Sequence, residues 1–114
     1  MNEIAPADWD AFVDRFTREH DGWPATLQLR ENDGGLDLAV DDRPFRGVTL
    51  EHRGGRTELI LSFGDDADEH LTHLIEQPTA LAVETGDEGD CSLVIGLADR
   101  SGCILELASP FRID

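Results

Sequence analysis

Apolar positions along this chain change their period once. Trp9, Phe12, Val13 and Phe16 recur at i, i+3, i+4 and i+7, the spacing that sets four side chains on one stripe of an α-helix. Pro6 suits a first helical turn, where its missing N–H goes unused, and Asp8 adds a carboxylate beside the positive end of the peptide dipoles. Arg15, Arg18 and His20 lie towards the other end, and Asp21-Gly22 supplies a stop. The spacing predicts a helix over about residues 6–20, docked through its aromatic stripe. Asp14, Arg15, Arg18 and Glu19 then form a solvated face.

From Trp23 onward the period is two. Leu27 and Leu29 alternate with Gln28 and Arg30, Asn32-Asp33-Gly34-Gly35 reads as a turn, and Leu36, Leu38 and Val40 form the second arm of a hairpin. Asp41-Asp42-Arg43-Pro44 reads as a break, since Pro44 has no N–H to give a central ladder. A second hairpin, 48–53 with 56–63, turns at Gly54-Gly55, two residues that accept positive φ. That turn pairs Arg53 with Arg56, Glu51 with Glu58 and Leu50 with Leu59. Val48, Leu50, Leu59 and Leu61 share the core face, and the opposed glutamates sit on the wet face beside diagonal arginines.

Residues 65–78 fit two patterns. Asp66 and Glu69 resemble a capping box, Ala67, Leu71, Leu74 and Ile75 fit a helical stripe, and Pro78 would end it. Leu71, His73 and Ile75 equally alternate as a strand does. Residues 79–85 follow as a strand with Leu81 and Val83 inward, then an acidic loop over 86–90. The last hairpin, 92–98 with 103–108, is expected to turn at Asp99-Arg100-Ser101-Gly102, setting Ala98 opposite Cys103, Gly96 opposite Leu105 and Val94 opposite Leu107. One face then carries Leu93, Ile95, Leu97 and Ile104, with Glu106 as an exception. Apolar residues on both faces predict that both are covered.

These elements give an α+β fold: an N-terminal helix packed on a strongly curved, mostly antiparallel sheet of about six to eight strands, with a partly open barrel as the limit of the curvature. The chain's 114 residues suit a single domain over 1–114. Edge strands in such a sheet ask for cover, and a homodimer supplies it.

Charge narrows the partners. Asp and Glu number 25 against 9 basic residues, all arginine, for a net charge of −16. Such a field repels phosphate backbones and anionic bilayers, so nucleic acid and membrane surfaces are not expected partners. No apolar run approaches the ~18 residues of a membrane span. The opening MNEIAPADWD lacks a basic start and an apolar core, as a secreted chain would not. Cys91 and Cys103 make no disulfide framework, and a cytoplasmic protein with free thiols is the simplest reading. In the expected hairpin Cys91 lies seven residues beyond Ala98, roughly 23 Å along the strand at ~3.3 Å per residue, too far for a bond.

Candidate chemistry is sparse. His70 and His73 form HxxH beside Asp65, Asp66, Asp68 and Glu69. On a helix the two imidazoles share a face and, with Asp66 or Asp68, could grip one metal ion. On a strand they point to opposite faces. Asp87, Glu88 and Asp90 form a second acidic loop, and Trp23 closes one end of the core. G-x-S-x-G, P-loop, HExxH and GxGxxG patterns do not occur. Neither cysteine has an adjacent base, and no cofactor is implied.

The run Trp9, Phe12, Phe16, Arg18, His20, Gly22 and Trp23, followed by His70-Leu71-Thr72-His73, Pro78 and a closing hairpin, resembles the bacterial family DUF5335. The likeness spans nearly the whole chain. It implies a compact cytosolic domain, favours strand over 70–76 and carries no assigned activity. The expected function is a non-catalytic binding or interaction module. The alternatives are a metal protein or enzyme built on His70, His73 and the acidic loop 65–69, and an acidic, nucleic-acid-mimicking partner of a basic protein.

Overall fold

The computed structural model describes residues 2–64, 70–87 and 89–110. A short strand β1 (Asn2–Ile4) and a 3-10 turn (Pro6–Asp8) lead into helix α1 (Trp9–His20). Seven strands follow: β2 (Pro24–Arg30), β3 (Leu36–Arg53), β4 (Arg56–Phe63), β5 (Leu71–Glu76), β6 (Ala80–Thr85), β7 (Cys91–Gly96) and β8 (Gly102–Leu107). They form one eight-stranded antiparallel sheet in the order β1-β6-β7-β8-β2-β3-β4-β5. The sheet is strongly enough curved to line one cleft with β5 and β8, yet it does not close into a barrel, so β1 and β5 remain edges.

Helix α1 buries the four residues of its stripe, Trp9, Phe12, Val13 and Phe16. It also acts as a partner for β3. Beyond Pro44 that strand has no β2 neighbour, so its backbone groups on that side need other partners. The Thr17 hydroxyl donates to the Val48 carbonyl and accepts from the Val48 N–H, both at 3.0 Å. Gly22 N–H donates to the Phe45 carbonyl at 2.6 Å, and Phe45 N–H donates to the Trp23 carbonyl at 2.8 Å. His20 packs between Phe16 and Trp23, tilted on the first and edge-on to the second, and half-buried Trp23 packs on the core as expected. On the outer side of the helix the pairs Arg15–Glu19 and Arg18–Asp14 are solvated, which makes them worth little to stability.

The Gly54-Gly55 hairpin has the expected register, Arg53↔Arg56 through Val48↔Leu61, with positive φ at both glycines. Arg53 lies 3.1 Å from Glu51 and 3.8 Å from Glu58, relieving the opposed carboxylates. Residues 71–76 form strand, so Leu71, His73 and Ile75 do alternate on one face; Asp66, Ala67, Asp68 and Glu69 lie outside the described residues.

Four expectations need correction. Residues 41–44 do not end the strand: β3 bends through them, with Asp42 at φ 49°, and Pro44 sits opposite Pro24 at the end of the β2 pairing. Leu36 and Leu38 do not share a face with Val40, because the register steps from Leu27↔Val40 to Gln28↔Leu38. That bulge at Ala39 turns both leucines outward, 55% and 58% exposed.

The last hairpin is displaced by three residues: Ile95 opposes Cys103, Leu93 opposes Leu105 and Cys91 opposes Leu107. Gly102 is not a turn residue. It lies in β8, where an added Cβ would collide with the Ile95 carbonyl. The positive φ falls on Arg100 instead, and Asp99 holds the turn by accepting from the Ser101 N–H and hydroxyl. The shift is odd, so it reverses the faces: Glu106 now sits outside, opposite Ser92, and Leu105 and Leu107 point in. The two-face cover expected of this sheet is also absent from the described chain, for Ala82, Val94 and Ile104 are only half-buried on the outer face.

Candidate functional site

The curvature brings together segments far apart in the strand order. β5 and β8 stand four places apart, yet both line a cleft of about 340 Å³ at the open side of the sheet. Leu29 from the end of β2, Ile75 from β5 and Leu97 from the β7–β8 connection give it apolar walls. His73, Glu76, Glu31, Arg30 and Ser101 bring polar groups to it.

Each wall follows from local sequence. Ile75 is buried opposite Leu59, and His73, two residues earlier on the same face, is half-buried opposite Leu61. Leu97 sits where the hairpin leaves its ladder, its N–H donating to the Ser101 carbonyl at 2.9 Å. Glu31 follows β2 in the β2–β3 turn, held by hydrogen bonds to Gly34 and Gly35. A hydrogen bond with the Asp37 carboxyl, and that group's charge, push the Glu31 carboxyl above the ordinary carboxylate range. The cleft thus carries two carboxylates, Glu31 and Glu76, against one guanidinium, Arg30.

The expected metal ligands are not brought onto a helical face. His73 lies in β5 and His70 is exposed just ahead of it, while Asp66 and Asp68 fall outside the described residues. Among the described residues no group of three or more His, Cys, Asp or Glu side chains is arranged to hold a metal ion. In the second acidic loop Asp90 accepts from the Ser109 N–H at 3.1 Å, and its carbonyl accepts from Gly86 N–H. Asp90 thus closes the loop between β6 and β7, and Glu88 lies outside the described residues.

Both cysteines are free and buried. The corrected register puts Cys91 four residues from Ile95, the partner of Cys103, roughly 13 Å along the strand, still beyond bonding distance. Burial pushes the Cys103 thiol up to about 11; burial, aided by the Glu19 carboxylate, does the same for Cys91. A thiol raised that far has almost no thiolate at neutral pH and is a poor nucleophile. Iodoacetamide at pH 7.5 should modify the native protein more than about 100-fold slower than the unfolded chain, which should yield two thiols. Native modification at the unfolded rate would contradict the burial. The unfolded chain ionises its thiols first, so stability should fall as pH rises from about 8.5 towards 11.

Leu29, Leu97 and Glu31 were not singled out from the sequence as site residues. Their only sign there is position, at strand ends beside turns. No helix among the described residues is long and apolar enough to cross a membrane.

A family model described as "Family of unknown function (DUF5335)" matches residues 1–114. Among solved structures, the crystal structure of the Bacillus subtilis YojF protein is similar, with a TM-score of 0.50 and 13% identity over 98% of this chain and 97% of that one. That likeness extends to the fold alone. No curated protein matches the chain.

Proposed function

The chain belongs to the DUF5335 family, which assigns it no chemistry, and we propose that it acts as a non-catalytic binding module whose site is the cleft beside β5. The observation that carries this reading is the concave surface walled by Leu29, Ile75 and Leu97, with Arg30, Glu31, His73, Glu76 and Ser101 as its polar groups. Small-molecule sites have that construction, and about 340 Å³ lies at the small end of their ~300–1,000 Å³ range. The net charge of −16, and Glu31 and Glu76 at the cleft against Arg30 alone, disfavour anions. The ligand is therefore neutral or cationic with an apolar body. The suppressed thiols argue for binding over nucleophilic catalysis, and their free state supports a cytoplasmic setting.

Titration with Nile red, a neutral apolar dye, tests the reading. Its fluorescence should rise on binding, and Leu97→Glu should weaken binding at least about tenfold in a protein that still melts cooperatively. Equal binding by Leu97→Glu, or loss of binding in Leu38→Glu instead, would locate the dye elsewhere and refute the cleft. Duplex DNA should give no gel shift at micromolar protein and about 150 mM salt, where charge is screened beyond ~8 Å; a shift that survives would contradict the electrostatic reading.

A further inference from the structure

The outer face of the β6-β7-β8-β2-β3 portion of the sheet has an arrangement unlike a solvated one. Its middle row runs Ala82, Val94, Ile104, Gln28 and Leu38 across five strands. None of these is charged, in a chain whose net charge is −16. The row towards the β7–β8 connection holds Ala80, Gly96, Gly102, Arg30 and Leu36. The row on the opposite side holds Glu84, Ser92, Glu106 and Thr26. An antiparallel sheet face left to water normally carries polar side chains, whereas Ala82, Val94 and Ile104 run unbroken across three strands and Leu38 follows beyond Gln28, and an apolar stripe of that kind marks a contact surface.

We infer that this face packs against the same face of a second copy, about a two-fold axis running along the middle row. Three features select a second copy. The stripe is self-complementary, since the axis lays Val94 and Ile104 of one protomer on those of its partner. Small residues, Ala80, Ala82, Gly96 and Gly102, let two sheets approach to the ~10 Å of face-to-face packing. The charges also match: a rotation about the middle row places one flanking row over the other. Arg30, the face's one basic residue among those rows, then lies over the partner's Thr26, beside its Glu106. The symmetry makes that pairing twice. Arg30 and Glu106 are four residues apart in strand register, too far to neutralise each other within one sheet. A basic protein as occupant would instead meet a face with almost no charge at its centre.

The mode of association has an ionic signature. Two protomers of −16 repel each other, so added salt should strengthen an apolar dimer, whereas it would weaken capture of a basic partner. Sedimentation velocity of the purified protein across about 1–500 μM, at about 0.05 and 0.5 M salt, reads both. A dimer that tightens with salt is expected. Ile104→Asp should weaken it at least about tenfold, and Arg30→Glu and Glu106→Arg each several-fold, while the double exchange restores it. Leu74→Asp, an exposed site on β5, should leave it unchanged. All variants should melt as cooperatively as the parent.

A monomer at every concentration and salt overturns the inference and leaves the face to another occupant. So does a dimer abolished by Leu74→Asp but not by Ile104→Asp, which would place the contact on the β5 edge. A dimer weakened by Ile104→Asp whose charge exchange fails to restore it overturns the two-fold arrangement.

Discussion

Gly102→Ala should destabilise the fold severely. A Cβ on Gly102 would press into the Ile95 carbonyl oxygen, 3.1 Å from the Ile95 carbonyl carbon and 3.2 Å from Gly96 Cα. All three are backbone atoms of β7, so no rotamer change can make room. The strands must part where Ile95↔Cys103 and Gly96↔Gly102 pair, and Ile95 and Cys103 sit in the core. The expected loss is about 4 kcal/mol or more, a large share of the roughly 5–15 kcal/mol that holds a domain together. Gly96→Ala is the matched comparison, since its Cβ would meet only Ala80 Cβ at 3.5 Å, an ordinary contact. Urea denaturation of the pair should show Gly102→Ala unfolding far earlier. Equal midpoints would contradict the observed hairpin register.

Phe16→Ala should be the most costly truncation on the helix. Phe16 is 2% exposed and touches three rings, His20 at 4.2 Å, Phe12 at 5.4 Å and Phe45, edge-on, at 5.8 Å between centroids. Its removal takes away a ring contact that joins α1 to β3 and opens a cavity in the core. A loss of about 3–5 kcal/mol follows, which lowers the melting temperature by roughly 15 °C or more for a domain of this size. Phe12→Ala should act in the same direction. Leu74→Ala, at an exposed position, should shift melting by no more than a few degrees. Unchanged melting of Phe16→Ala would mean that the helix does not hold the sheet.

The helix and the central hairpin were legible in the sequence because each carries a local rule. Trp9, Phe12, Val13 and Phe16 can share a face only on a helix, and Gly54-Gly55 sets the register of its hairpin through the turn alone. The closing hairpin had no such turn. Gly102 looked like a turn glycine, but its lack of a side chain serves a close approach between strands, and Arg100 takes the positive φ. Glu106 was the sign of the error: an acidic residue on a supposed core face becomes an outer residue once the register moves by three.

The cleft was less legible than the strands that form it. Leu29, Ile75 and Leu97 are ordinary apolar positions in the sequence. They meet only because eight strands curve until β5 approaches the β7–β8 connection. Curvature accumulates from twist and bulges over the whole sheet, and no local pattern encodes it. The HxxH motif was legible as a spacing, but its chemistry depended on a helix, and residues 71–76 form a strand.

The most direct measurement of the central claim is a backbone amide NMR map recorded while a mixture of small neutral and cationic aromatic fragments is added to the full chain. A binding cleft beside β5 predicts saturable shifts at Leu29, Glu31, His73, Ile75 and Leu97, with cationic fragments moving Glu31 most. Saturable shifts confined to another surface, or no saturable shift at millimolar fragment, would contradict it.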